Sequence, residues 1–370
     1  MPKLKQASKQ VLKRELKRVL IMAGGTGGHV FPGLAVADYF KTQNIEVNWL
    51  GTHQGLESHL VPEANIPLHF ITISGVRGKG WKAILLAPFK ILLAIAQAIK
   101  VIRVLKPDVI IGMGGFVSGP GGVASFILGK KLVIHEQNAK SGMTNQWLAK
   151  IATKVLTGFP DTFSHNKKSI TIGNPIRQKI AAFSSPLQRL SNLEPRLLVI
   201  GGSLGAQSFN TLLPQALALL TNEQRPSVWH QTGEKHYAPT VKLYQEAGID
   251  ARIEPFIQQM DQAYAWANMV LCRAGALTIA ELCAAGLGAI LVPYPYAVDD
   301  HQTANAHFMV KQKAAFLIQQ SQLTAALLAE ILKELCASAD KRLQMANAAY
   351  QLRIIDATQK VLTICKEIYT

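Results

Sequence analysis

One unit occurs twice in this chain, and it leaves few folds open. The apolar run Val19-Leu20-Ile21-Met22 meets the turn Ala23-Gly24-Gly25-Thr26-Gly27-Gly28, then a segment carrying Leu34-Ala35-Val36-Ala37-Asp38-Tyr39-Phe40. The order returns as Arg196-Leu197-Leu198-Val199-Ile200, Gly201-Gly202-Ser203-Leu204-Gly205-Ala206 and a segment from Gln207 to Leu220. Each copy reads as strand, glycine turn, helix, with Pro32 placed in the first helical turn, where a missing N–H is tolerated. Such a duplication predicts two Rossmann-like α/β halves. A chain of 370 residues holds two domains of about 150 to 180 residues each.

A glycine-rich turn at a helix start aims backbone amides and the positive end of the helix dipole at an anion. The spacing narrows which anion. From Gly25 the pattern is Gly-x-Gly-x-x-Val and no Gly-Lys-Ser/Thr follows, so neither the dinucleotide fingerprint nor the P-loop is met. The second strand, near Val47-Leu50, runs into Gly51-Thr52-His53 and offers no carboxylate to an NAD ribose. A nicotinamide enzyme is therefore disfavoured.

Further strands are expected at Leu68–Ile73, Pro107–Ile111 and Lys131–Ile134. The second of these feeds another glycine turn, Gly112-Met113-Gly114-Gly115-Phe116-Val117-Ser118-Gly119-Pro120, and the third delivers His135-Glu136-Gln137-Asn138. Carboxyl ends of parallel strands are where ligands gather in open α/β sheets. After Gly173-Asn174-Pro175-Ile176-Arg177 a polar run to Pro195 reads as a linker. In the second half, strands end at Trp229–Gly233, Phe256-Ile257 and Met269–Arg273, and Ala274-Gly275-Ala276-Leu277-Thr278 opens a helix carrying Glu281. Amides at that helix start suit a diphosphate, and a carboxylate one turn in suits ribose hydroxyls. Hydrogen-bonding groups cluster again over residues 291–305, as sugar hydroxyls require. No Asp-x-Asp occurs, so no metal and no cofactor are expected; dipoles, amides and a cation such as Arg177 would hold the diphosphate.

The formal charge of +16 calls for an anionic partner. Basic and aromatic residues are not interleaved on strands, which speaks against nucleic acid. Cys272, Cys283, Cys336 and Cys365 lack metal or pairing spacing and read as reduced thiols. Residues 1–18 hold seven Lys or Arg against Glu15 and no apolar core, so they are a basic tail rather than a signal peptide, either frayed or helping at an anionic membrane. The stretch running from Gly75 through Leu93 is the most apolar part of the chain, but Pro88, Lys90, Gln97 and Lys100 interrupt it and rule out a membrane span. Arg77, Lys79, Lys82 and Lys90 beside Trp81, Leu85, Leu86 and Phe89 suit a helix lying in a lipid interface; a buried crossover helix is the competing reading.

Seven motifs in consistent order, at 23–32, 112–120, 135–138, 173–177, 201–206, 272–278 and 299–305, closely resemble the MurG family. These are bacterial transferases that move N-acetylglucosamine (GlcNAc) from UDP-GlcNAc to the undecaprenyl-diphospho-MurNAc-pentapeptide lipid I, giving lipid II. The resemblance runs from about Val19 to the C-terminus. It implies a GT-B fold, with an acceptor and membrane domain over 19–176, a donor domain over 177–350, and a last helix over 351–370, capped by Asp356 with Gln359 three residues on, crossing back to the first domain. It also implies residue roles: Ser203 at the diphosphate, Glu281 at the ribose, Ile257 and Arg177 at the nucleotide. Asn138, Gln302 and Ala276, Leu277 and Thr278 would hold the GlcNAc. The loops 24–28 and 112–122 would take the acceptor diphosphate, with Thr26, Gly27 and Gly28 close to the donor as well. Family members sit on the cytoplasmic face of the inner membrane, which favours the interfacial reading of 77–93.

The chain departs from the family at Phe116, where some members carry Tyr, at Leu204, where some carry Gln, and at Gln258-Gln259, where acids are frequent. The chemistry implied is inverting attack by the acceptor C4 hydroxyl on the anomeric carbon. His29 is the candidate base, since a helix start works against a positive ring, with Glu136 as the second candidate. A structural role for His29 in fixing the loop is the competing reading. The alternative function is another enzyme of this fold acting on UDP-sugars, a UDP-GlcNAc 2-epimerase or a glycolipid glycosyltransferase; a non-catalytic membrane scaffold is a further one.

Overall fold

The computed structural model describes residues 15–73, 80–190 and 194–370. In the first half, strands β1 (Arg18–Met22), β2 (Glu46–Gly51), β3 (Leu68–Phe70), β4 (Val109–Gly112), β5 (Lys131–Glu136), β6 (Lys154–Thr157) and β7 (Ser169–Thr171) form one parallel sheet. Its order is β3-β2-β1-β4-β5-β6-β7. Between them run α1 (Gly27–Thr42), α2 (Glu57–Glu63), α3 (Gly80–Leu105), α4 (Ser118–Ile127) and α5 (Met143–Ile151). The central strands are Val, Leu and Ile almost throughout and are buried, as a parallel sheet covered on both faces requires.

The second half opens with two short helices, α6 (Gln178–Ala181) and α7 (Pro186–Arg189). A second parallel sheet follows, with strands β8 (Arg196–Ile200), β9 (Ser227–Gln231), β10 (Arg252–Glu254), β11 (Met269–Cys272), β12 (Ala289–Leu291) and β13 (Ala315–Leu317), ordered β10-β9-β8-β11-β12-β13. It is wrapped by α8 (Gln207–Ala218), α9 (Tyr237–Glu246), α10 (Met260–Trp266), α11 (Ala276–Ala285), α12 (His301–Val310), α13 (Ala325–Ala337) and α14 (Ala339–Gln351). The last helix, α15 (Ala357–Tyr369), packs on α1 and places Val361, Leu362, Ile364 and Cys365 in the core of the first half. The backbone thus crosses between the halves twice, and the crossings touch: a Cβ on Gly173 would stand 2.7 Å from that of Ile354. With two facing sheets of this order, the fold is GT-B.

Several expectations need correction. Helix α1 starts at Gly27, with Thr26 extended at its N-cap, so Pro32 lies inside the helix rather than in its first turn. Strand β3 ends at Phe70, and β10 ends at Glu254, which leaves Phe256 and Ile257 in the following loop. The run after Arg177 is no free linker: α6 packs on α11, α7 packs on α14, and Ile180 is fully buried. Asp356 caps α15 by position only, because its carboxylate pairs with Lys360 at 2.9 Å instead of a backbone amide. The basic tail up to Arg14 lies outside the described residues, as do Arg77 and Lys79 and the side chains of Trp81, Lys82 and Leu85. On the described part of α3, Leu86, Phe89, Leu92 and Leu93 are exposed. Among the described residues no helix is long and apolar enough to cross a membrane.

Candidate active site

All loops singled out above leave the carboxyl ends of parallel strands, so each sheet presents them along one edge. In the first half the two glycine turns pack directly on one another. Gly115 has φ +79°, and a Cβ there would lie 2.1 Å from the Gly24 carbonyl oxygen. Gly114 leaves room for the ring of His29, whose Nδ1 would be 2.5 Å from a Cβ at that position.

His29 is the third residue of α1 and its ring is oriented by a chain of two hydrogen bonds. Gln137, the residue after β5 and 1% exposed, donates from Nε2 to the Met113 carbonyl at 2.8 Å. That fixes the amide so that its Oε1 faces His29 Nδ1 at 3.1 Å. A carbonyl oxygen only accepts, so Nδ1 carries a proton, and of the two neutral tautomers this contact selects the one with its lone pair on Nε2. The candidate base is therefore held in the tautomer able to take a proton.

Glu136 does not fit the base role expected of it. It is buried, and its two oxygens accept from Asn138 N at 3.0 Å, Asn138 Nδ2 at 3.2 Å, Gly142 N at 3.1 Å and Asn145 Nδ2 at 2.9 Å. With its acceptor capacity used by the loop it organises, it shapes residues 138–142 rather than meeting a substrate proton. His135 is also buried, contacts the Gly173 carbonyl through Nε2 at 2.9 Å, and burial pushes its pKa down to about 4.

In the second half Gly275 caps α11, so the amides of Ala276, Leu277 and Thr278 occupy its first turn, where helical N–H groups have no intrahelical acceptor. Glu281, 4% exposed, accepts from the Tyr264 hydroxyl at 3.2 Å, and its other oxygen stands 3.8 Å from Arg177 Nη1. Burial raises its pKa, opposed by Arg177 and Tyr264. Neither that oxygen nor Nη1 has a hydrogen-bond partner among the described residues, which leaves a buried acceptor and donor for a ligand. Ile257 is buried and its N–H donates to Gln231 Oε1 at 3.0 Å. Ser203 is exposed in the turn after β8, and Gln302 accepts from Tyr294 N at 2.8 Å.

Contacts between the halves frame this site. Arg177 lies 5.4 Å from the ring centroid of Phe31 on α1, which links the Glu281 neighbourhood to the helix bearing His29. Asn305, fully buried on α12, donates to Asn138 Oδ1 at 3.2 Å and to the Ala274 carbonyl at 3.1 Å, and accepts from Ala139 N at 2.8 Å. These contacts bring the turn at the start of α1, with Thr26, Gly27, Gly28 and His29, and Asn138, Arg177, Glu281 and the start of α11 to the meeting of the two halves. Ser203, Ile257 and Gln302 lie on neighbouring loops of the second sheet. Gln137 and Asn305 stood inside motifs already singled out, but no periodicity says which of four adjacent polar side chains turns toward the site.

The glycosyltransferase family 28 N-terminal domain matches residues 19–157, and the family 28 C-terminal domain matches residues 196–361. A Marinobacter nauticus protein described as UDP-N-acetylglucosamine--N-acetylmuramyl-(pentapeptide) pyrophosphoryl-undecaprenol N-acetylglucosamine transferase is 52% identical over 95% of this chain and 97% of its own. The crystal structure of Acinetobacter baumannii MurG superposes with a TM-score of 0.81 at 40% identity, covering 95% of this chain and 99% of that one. The chain belongs to the MurG family. A putative UDP-N-acetylglucosamine 2-epimerase from Listeria monocytogenes shares only the fold with it, at 14% identity and a TM-score of 0.65 over 96% of this chain and 97% of that one. Membership of the MurG family agrees with the resemblance carried by the seven motifs.

Proposed function

We propose that this chain transfers GlcNAc from UDP-GlcNAc to the C4 hydroxyl of the MurNAc in lipid I, by one inverting displacement and without a metal ion. The observation that carries the mechanism is the His29–Gln137–Met113 chain of hydrogen bonds, which occupies Nδ1 and leaves Nε2 as the ring nitrogen available at the glycine turns. His29 Nε2 takes the hydroxyl proton as the C4 oxygen attacks the anomeric carbon and UDP departs from the opposite face, so the configuration inverts. Charge builds on the leaving diphosphate, where the α11 amides and Arg177 supply fixed positive potential. In this reading Glu281 takes ribose hydroxyls, Ile257 lines the nucleotide, Ser203 meets the diphosphate, and Asn138, Gln302 and residues 276–278 hold the GlcNAc. Thr26, Gly27 and Gly28 receive the acceptor diphosphate beside the donor.

The absence of Asp-x-Asp from the sequence supports metal independence. The exposed Leu86, Phe89 and Leu93, spaced along one face of α3 with Lys90 among them, support a peripheral seat on the anionic cytoplasmic face of the inner membrane. Transfer of radiolabel from UDP-GlcNAc to a short-chain lipid I analogue in the presence of EDTA tests the whole reading. Lipid-dependent transfer and UDP release are expected. Transfer that EDTA abolishes would refute the metal-free mechanism, and UDP-sugar isomerisation without acceptor would replace the transferase by an epimerase.

A further inference from the structure

Glu57, the first residue of α2, is a carboxylate enclosed in the protein with 0% exposure. Among the described residues its partners are all neutral donors. Oε2 accepts from the Gly25 amide at 2.9 Å, while Oε1 accepts from the Thr52 amide at 2.9 Å and the Thr52 hydroxyl at 2.8 Å. Burial of an ion is unfavourable unless hydrogen bonds replace its water, so the surrounding backbone is committed to this arrangement. Three chain segments close on it: a Cβ would stand 2.6 Å from Oε1 if placed on Gly24, 2.7 Å from Cγ on Gly51, and 1.9 Å from Oε2 on Gly55. The Leu56 amide also reaches the Gly25 carbonyl, at 3.4 Å, so both faces of the Gly25 backbone, held at φ +93°, are tied to the start of α2.

Gly25 immediately precedes the N-cap of α1, two residues before the helix that carries His29. With its amide occupied by Glu57 and the His29 amide bonded to the Thr26 carbonyl, the amides left to an anion at this turn are those of Thr26, Gly27 and Gly28. A fixed negative charge behind Gly25 also opposes a diphosphate moving deeper. Resting on the transferase reading above, we propose that Glu57 is a positioning residue for the acceptor: it shapes the first glycine turn and sets where the acceptor diphosphate stops relative to His29.

The test is steady-state kinetics of wild type and Glu57→Gln with both substrates varied, using the short-chain lipid I analogue. Glutamine cannot accept from Gly25 N–H and from Thr52 through one oxygen alone. The KM for the analogue is expected to rise about tenfold with a fall in kcat, the worth of one hydrogen bond to a charged group, while the KM for UDP-GlcNAc stays within about twofold. Unchanged acceptor kinetics, or equal rises in both KM values, would overturn the proposal. Hydrogen exchange of the wild-type chain provides a readout that needs no variant. The Gly25 amide should be protected and become faster exchanging in Glu57→Gln; an unprotected Gly25 amide in wild type overturns the proposal even if the variant does not fold. Absence of transfer by the wild type itself would instead refute the transferase reading.

Discussion

At the scale of single residues the proposed chemistry turns on one imidazole and the amide that orients it. Replacing His29 with Ala removes the proposed proton acceptor but none of the α11 or Arg177 groups. Turnover is expected to fall by about a hundredfold or more with the UDP-GlcNAc KM nearly unchanged, as general-base losses do; steady-state assays of the variant check this, and near-normal turnover would return His29 to a structural role. Part of this was legible in the sequence. A histidine directly after Gly27-Gly28 at a helix start declares its place, because the glycine turn itself is a local signal. Gln137 and Glu136 did not declare theirs. Both are polar residues where one strand gives way to its loop, yet one orients the candidate base and the other is consumed by Gly142, Asn145 and Asn138. That difference is set by α5 and the loop before it, which meet Glu136 only after folding. Glu57 was silent for the same reason, since its partners come from two other segments.

At the scale of elements, long apolar-periodic segments and glycine turns were readable, and short ones were not. Strands β6 and β7 span only four and three residues, and α6 and α7 four each, too few for a periodic pattern to emerge. Their pairing and packing are supplied by neighbours distant in sequence. The last helix shows how far such tertiary placement reaches. Leu362 on α15 is buried in the first half's core, so Leu362→Ala is expected to destabilise that half by about 2 to 5 kcal/mol. Thermal unfolding should show the loss, while UDP affinity, which the proposed function assigns to the other sheet, should persist in the folded variant; an unchanged melting temperature would contradict this packing role.

For the whole molecule, each half hides one histidine from water. His135 in the first sheet and His230 in the second are both fully buried, and burial pushes their pKa values down to about 4 and about 3. Unfolding returns both to an ordinary value near about 6.5. Below that pH the unfolded chain gains protons that the folded chain refuses. Above about pH 6.5 both rings are neutral in either state and their titration contributes nothing; on acidification toward the folded values each ring destabilises the fold by about 1.4 kcal/mol per pH unit. Melting temperatures measured from pH 7.5 down to pH 5 should fall, and less steeply in His230→Asn; a flat profile would contradict the assignment.

The two backbone crossings give the pair of halves a mechanical character. Because Gly173 and Ile354 lie against each other, both covalent straps pass through nearly one point of the boundary. Straps set far apart would lock the halves, and a single strap would let them swivel. Side by side, they join the halves at one place instead of two, a weaker restraint on rotation about that place than separated straps would give. Both crossings therefore tie the half that carries α11 to the half that carries His29 at the same place on their shared boundary.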